Sequence, residues 1–284
     1  MTGVLLSLGH GFSAKAVSRA LYEQGGWEVY GTTRSVEKFG PIVSSVAKPV
    51  IWPAPDALDG ILDDVTHLLI SVAPNESGDL VLNNLSDEIK ARRDQFEWVG
   101  YLSTTGVYGD HQGDWVDENT ALTPSTKRGQ MRVAAEAAWA DMGLPLHIFR
   151  LAGIYGPGRG PFAKVRNGTA RRIIKKNQLF SRIHAEDIAQ VLLASIAHPN
   201  PGSIYNVCDD YAAPPEDVIG YAAELLGVPL PQDEDFETAE MTPMARSFYS
   251  ESKKVSNRKI KDELGVKLKY PDYKTGLQAL LAEA

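Results

Sequence analysis

The chain has 284 residues, enough for one sizeable core and a second lobe. Its 43% hydrophobic and 23% charged residues are ordinary for a soluble globular protein, and a net charge of −7 argues against a nucleic-acid or anionic-membrane surface. The single cysteine, Cys208, excludes an internal disulfide and a thiolate metal cluster, and no apolar run is long enough to span a bilayer. The apolar start lacks a basic segment and is too short for a signal peptide, so the expected location is cytoplasmic.

Val4 to Leu8 is almost wholly apolar, which suits a strand buried on both faces of a parallel sheet. It breaks at Gly9-His10-Gly11-Phe12-Ser13-Ala14, a G-x-G-x-x-A turn. Ala14, Val17, Ala20 and Leu21 then follow at helical spacing until Gly25-Gly26, and a second strand runs from Trp27 to Thr32. Strand, glycine turn and helix are the setting in which this pattern holds a dinucleotide. Gly9 allows the tight turn and Gly11 lets backbone N–H groups approach a pyrophosphate. Ala14 lets the helix pack close, and the helix N-terminus offers unpaired donors. An acidic residue near the end of the second strand would take the ribose hydroxyls of NAD. Thr33 stands there instead, followed by Arg34, whose guanidinium suits the extra phosphate of NADP. NADP is the expected cofactor, with NAD as the alternative.

Pro49 to Trp52 is a predicted third strand ending in the Pro53–Asp56 loop, and His67 to Val72 a fourth. The carboxyl ends of parallel strands line a ligand crevice, so Ser71, Ala73 and Pro74 are candidates to flank the cofactor. Val81, Leu85 and Ile89 mark a helix, and Trp98 to Leu102 a fifth strand that runs into STTGVYGD. His147 to Leu151 is a sixth strand, leading into Ala152–Gly160. Ser181–Asp187 opens a helix with the stripe Ile188, Val191, Leu192 and Ile196, and Ile204 to Val207 returns to the sheet. Pro215 begins a helix ending near Gly227, residues 228–245 form an acidic surface loop, and Lys253 to Leu264 is expected as a final helix. The basic cluster Arg171–Lys176 reads as a solvated face or a small anion pocket rather than a nucleic-acid contact. Its six histidines are scattered without ligand spacing, so no metal site is expected.

The glycine motif, STTGVYGD, WVDENTALTP, FRLAGIYGPGRGPF, FSRIHAEDIAQVLLA and IYNVCDD occur in one order along essentially the whole chain. In this the sequence resembles the extended, atypical short-chain dehydrogenase/reductases, the NAD(P)-dependent epimerase/dehydratase group. The resemblance implies an α/β fold, a Rossmann-type doubly wound parallel sheet with a smaller C-terminal substrate lobe. Residues 1–156, with 182–210 returning to them, would bind the dinucleotide; 157–181 and 211–284 would form the lobe. It also implies an NAD(P)-dependent oxidoreductase, epimerase or dehydratase acting on a sugar-nucleotide-like or other hydroxylated, anionic small molecule. The expected assembly is a monomer or homodimer.

Family members of the standard type use a Ser/Thr at the fifth strand's end and a Tyr-x-x-x-Lys pair on the next helix. The first falls on Thr104, with Thr105 beside it. The pair falls on Arg128 and Arg132, because this chain reads Arg128-Gly129-Gln130-Met131-Arg132-Val133-Ala134-Ala135-Glu136. Spacing of four keeps both side chains on one helix face. An arginine does not release a proton at neutral pH, so Arg128 does not replace the tyrosine, whereas Arg132 can keep the lysine's electrostatic role and its reach to the cofactor. Three readings stay open. Arg128 binds an anionic substrate or stabilises developing charge while Tyr155, Tyr108 or a water moves the proton. Alternatively the protein is a non-catalytic NAD(P)-binding sensor, or both arginines are merely solvated. The resemblance places Tyr155 and Arg159 near the substrate, with Arg182 a further anion candidate and His184 structural.

Overall fold

The computed structural model describes residues 3–283. Seven strands form one parallel sheet: β1 (Gly3–Leu8), β2 (Trp27–Thr33), β3 (Lys48–Ile51), β4 (His67–Ile70), β5 (Trp98–Thr104), β6 (Leu146–Leu151) and β7 (Ile204–Val207). Their spatial order is β3-β2-β1-β4-β5-β6-β7. β1 therefore pairs with β2 on one side and β4 on the other, with Leu5 opposite both Val29 and His67. The strand order reverses between β1 and β4, and a crevice opens there beyond the strands' carboxyl ends.

Period-two alternation assigns each strand residue to one of two cores. Leu5, Leu69, Trp98, Leu102 and Phe149 meet the helices α1 (Phe12–Gln24) and α4 (Ala185–Ala197), through Ala14, Val17 and Leu21 of the first and Ile188, Val191, Leu192 and Ile196 of the second. Leu6, Leu8, Leu68, Val99, Tyr101 and Ile148 face the opposite way. They meet Val81, Leu85 and Ile89 of α2 (Leu80–Ala91) and Ala135 and Trp139 of α3 (Lys127–Ala140). This Rossmann-type arrangement is the predicted fold class. A third apolar cluster stands off the sheet. It joins Phe162 and Val165 to Val218 and Ala222 of α5 (Pro215–Leu226) and to Tyr273 and Leu277 of a C-terminal helix, Tyr273–Ala282.

Local predictions fail at three places, each where a tertiary contact overrides sequence pattern. Arg182–His184 is a short strand alongside Gly153–Tyr155, and the helix begins only at Ala185, where His184 Nδ1 caps the Glu186 N–H. Residues 228–245 are not wholly loop. Asp233–Asp235 pairs with Arg172–Ile174, so Arg171 meets Glu234 and Arg172 meets Asp233, and α6 (Pro243–Phe248) follows. The predicted helix from Lys253 to Leu264 is the largest correction. Lys254–Val255 is a strand beside Trp115–Val116, and only Arg258–Asp262 is helical. The backbone from Ser252 to Ser256 is committed to the 111–116 segment through His111 N–H, Gly113 N–H and Asp114 C=O, which leaves nothing for i→i+4 bonds. The last helix is α7 (Tyr273–Ala282), capped by Asp272, which accepts from the Thr275 N–H at 2.8 Å.

Candidate functional site

Gly9 has φ +86°, and a Cβ there would lie 2.7 Å from Val72 Cγ2, so only glycine fits the turn after β1. Thr32 Oγ1 accepts from the Gly9 N–H at 2.8 Å, and Ser71 Oγ–H donates to Gly9 C=O at 2.8 Å, fixing the turn between β2 and β4. Gly11 is different. A Cβ there would meet nothing nearer than Gly9 C=O at 3.8 Å, and its backbone is extended. Nothing within the protein demands a glycine at 11, whereas a ligand approaching the backbone would. The α1 N-terminus has no side-chain cap and no acidic residue in its first turn, so its donors are left for an anion. These features fit the pyrophosphate of a dinucleotide.

His10 does not point toward that space. Its Nε2 meets Ser45 Oγ at 3.0 Å, and burial lowers its pKa to about 4, with Lys15 and Arg19 adding to the effect. It holds the turn from behind as a neutral ring. Ser13 reaches the cleft, while Phe12 carries the Arg159 guanidinium 5.4 Å from its ring centre. Thr33 Oγ1 accepts from the Ser35 N–H at 3.3 Å, and Arg34 is exposed beside it.

From Ser13 of α1 a cleft of about 800 Å³ extends across the ends of β4, β5 and β6. Ser71, Ala73, Pro74, Thr104, Thr105, Arg128, Arg132, Tyr155, Arg159 and Arg182 are among the residues that line it. Thr104 ends β5, and its Oγ1 accepts from the Gly106 N–H at 3.2 Å, which turns the chain into a 3₁₀ turn, Thr105–Tyr108. Arg132 lies along β5, donating to Tyr101 OH at 3.0 Å and Leu102 C=O at 2.8 Å. Arg128 reaches the other way, to Ser247 Oγ at 3.3 Å, with its guanidinium 4.7 Å from the Phe248 ring centre. Arg182 is anchored by Phe180 C=O at 2.9 Å and Ala213 C=O at 3.0 Å.

The two tyrosines named as proton carriers are otherwise engaged. Tyr108 is fully buried, donating to Asn206 Oδ1 at 2.7 Å and accepting from Arg150 at 3.0 Å. Tyr155 directs its hydroxyl at Asp272 C=O, 3.4 Å away, and Gly276 of α7 packs directly against the Tyr155 hydroxyl and ring. Burial, followed by the nearby Asp209, Asp187 and Asp272, drives its pKa far up. Sequence reasoning missed Glu251 and Lys253, which line the same cleft. Lys253 donates to Gly109 C=O at 2.6 Å and Glu251 Oε2 at 2.8 Å, while Glu251 Oε1 accepts from Ser125 at 2.8 Å. Spacing of two puts them on one side of an extended segment, a signal that a helical reading of Lys253–Leu264 hides.

A dinucleotide-binding α/β protein with a polar, cation-lined cleft at its strand ends is the class this arrangement defines. The family model described as the NAD dependent epimerase/dehydratase family matches residues 5–208. The chain belongs to that family. Protein YeeZ of Escherichia coli K12 is 30% identical over 226 residues, which is 76% of each chain. A solved structure of a functionally unknown conserved protein from Silicibacter pomeroyi is 61% identical, with TM-score 0.95 and coverage of 100% of this chain and 99% of that one. The dTDP-glucose 4,6-dehydratase of Bacillus anthracis in complex with NAD has TM-score 0.79, covering 100% of this chain and 97% of that one. At 15% identity this likeness is one of fold. Among the described residues no group of three or more His, Cys, Asp or Glu could hold a metal ion, and no helix is long and apolar enough to cross a membrane.

Proposed function

We propose that the protein is an NADP-dependent oxidoreductase, epimerase or dehydratase acting on a hydroxylated, anionic small molecule of the sugar-nucleotide kind. The observation that carries this reading is one cleft in which Thr104 shares the walls with Arg128, Arg132, Arg159 and Arg182. Bound nicotinamide would supply the hydride acceptor or donor. In this reading residues 1–156 and 182–210 hold the cofactor, and 157–181 with 211–284 shape the substrate end. Thr104 orients the substrate oxygen, which its hydroxyl can do as donor or acceptor. Arg132, fixed against β5, faces the ribose side, while Arg159 and Arg182 hold the anion as charge-assisted donors. NADP is favoured over NAD by exposed Arg34 and by Lys15, whose pKa is lowered by burial and then by nearby Arg19 and Lys38, marking a concentration of positive charge.

The sensor reading keeps one observation in its favour: Arg128 occupies the tyrosine position and cannot relay a proton. Fluorescence titration with NADPH and NADH tests the cofactor. NADPH is expected to bind roughly tenfold or more tighter, with Arg34→Ala removing the preference and Gly11→Val abolishing binding of both. Equal affinities would refute the NADP assignment, and undiminished binding by Gly11→Val would refute the glycine turn. A screen of anionic hydroxylated metabolites, read by nicotinamide absorbance and product mass, separates the enzyme from the sensor.

A further inference from the structure

A site of this kind must move a proton as well as a hydride, and Arg128 stands where the proton carrier is expected. Apart from arginines, the titratable side chains lining the cleft are Tyr155, Glu251 and Lys253. Tyr155 is spent on Asp272 C=O and pressed against α7. Glu251 is an acceptor on both oxygens, from Ser125 and Lys253. Lys253 differs from both. Its ammonium carries three N–H groups, of which Gly109 C=O and Glu251 Oε2 take two, and the third has no protein partner among the described residues.

Its anchor matters as much as its spare donor. Gly109 closes the 3₁₀ turn that Thr104 opens, so the oxygen-orienting hydroxyl and the lysine's tether are the two ends of one turn. The segment carrying Lys253 is itself fixed on both sides. Ser252 C=O accepts from His111 and Gly113 N–H groups, and Val255 N–H donates to Ser181 Oγ at 3.1 Å, next to Arg182. The lysine thus lines the cleft on a segment hydrogen-bonded on both sides, with its residue 8% exposed.

We propose that Lys253 is the proton-handling residue of this cleft, positioned by Gly109 and Glu251, and does what Arg128 cannot. This rests on the oxidoreductase reading above. With bound nicotinamide supplying a hydride to the carbonyl carbon, the C=O π pair would move to oxygen and Lys253 would give one N–H proton to that oxygen. The products would be an alcohol, NADP⁺ and a neutral Lys253 amine, which would regain its proton from water. The reverse reaction runs the same transfers backwards, with the neutral amine as base.

The test uses the full chain with NADPH and four anionic carbonyl probes: oxaloacetate, 2-oxoglutarate, dihydroxyacetone phosphate and fructose 6-phosphate. Lys253→Met is expected to lose turnover by roughly 10²–10⁴-fold, while its NADPH fluorescence titration stays within twofold of wild type. Lys253→Arg keeps the charge but not the releasable proton and should be as inactive. In Lys253→Ala, added methylammonium should restore turnover in proportion to its concentration. Because a buried lysine can be needed for folding, Glu251→Gln supplies an independent readout. Its amide can still accept from Ser125 but no longer pairs with the Lys253 ammonium, so turnover should fall while NADPH affinity stays within twofold of wild type. Full turnover in Lys253→Arg, or undiminished turnover in Glu251→Gln, would overturn the proposal, whereas a wild type that binds NADPH and reduces none of the probes would overturn the oxidoreductase reading on which it rests. Failure of wild type to bind NADPH would instead overturn the cofactor reading.

Discussion

Arg182 and Asp209 show what burial does to charges at the edge of the cleft. Asp209 N–H donates to Arg182 C=O at 2.6 Å, its Oδ1 accepts from the Tyr211 N–H, and its Oδ2 is buried without a partner. Burial raises its pKa to about 8, against the pull of Arg182, and burial lowers that of Arg182. Between pH 4 and 8 the folded chain therefore holds a proton on Asp209 that the unfolded chain has released. Stability from this group is full below pH 4, falls as pH rises through that window, and is flat above it. Asp209→Asn should remove the loss, so its stability advantage over wild type grows from pH 5 to pH 8 by up to about 1.4 kcal/mol per unit. Denaturant unfolding of both proteins at pH 5, 6.5 and 8 checks this, and parallel pH slopes would contradict it. Arg182 could be singled out from the sequence as a cation in a suggestive place. Asp209 could not, because its raised pKa comes from the burial that β7 and the Arg182–His184 strand create together.

At the scale of elements, the parts legible in the sequence are those whose periodicity and neighbours agree. β1, the glycine turn and α1 carry their own boundaries in Gly9 and Gly25, and the strands of the parallel sheet announce themselves as apolar runs. The 228–257 region has no such redundancy. Its short strands each lean on a distant segment, Asp233–Asp235 on Arg172–Ile174 and Lys254–Val255 on Trp115–Val116, so charge density alone reads as loop and a lysine-rich run reads as helix. That is why Lys253 and Glu251 were hidden while Thr104 was not. The same region supplies α6, whose Ser247 and Phe248 line the cleft, with Met244 65% and Phe248 51% exposed. Its contact with the rest of the site is Arg128, through Ser247 and the Phe248 ring. An exposed cation–π contact contributes roughly 0.5–1 kcal/mol. Phe248→Ala should therefore raise the open fraction of α6 about two- to fivefold, seen as faster tryptic cleavage at Arg246 with little change in global unfolding. Unaltered cleavage would show that Arg128 does not restrain the helix.

The whole molecule is acidic at −7, yet its cleft gathers Arg128, Arg132, Arg159, Arg182 and Lys253, so the field that reaches an approaching anion is concentrated at one mouth. Beneath that mouth lies a second charged feature, entirely inside. Arg150 of β6 donates to both oxygens of Glu136 of α3, closest at 2.7 Å, with side chains 3% and 5% exposed. Ser103 of β5 also donates to Glu136, and Arg150 continues to Tyr108, which continues to Asn206 of β7. One network thus joins three neighbouring strands to a helix through Ser103, the residue before Thr104 in β5. Breaking one partner leaves a buried charge uncompensated, which costs roughly 3–5 kcal/mol, whereas replacing both by apolar side chains is often near neutral. Glu136→Gln should accordingly be severely destabilised. Glu136→Leu combined with Arg150→Met should lose much less than the sum of its single changes, although Ser103 and Tyr108 each forfeit a partner. Denaturant unfolding of the four proteins closes the cycle. The folded double variant then separates two roles: if the network only supports the sheet, NADPH binding survives in it, and if it also sets where Thr104 and Arg132 stand, NADPH affinity falls while the fold remains.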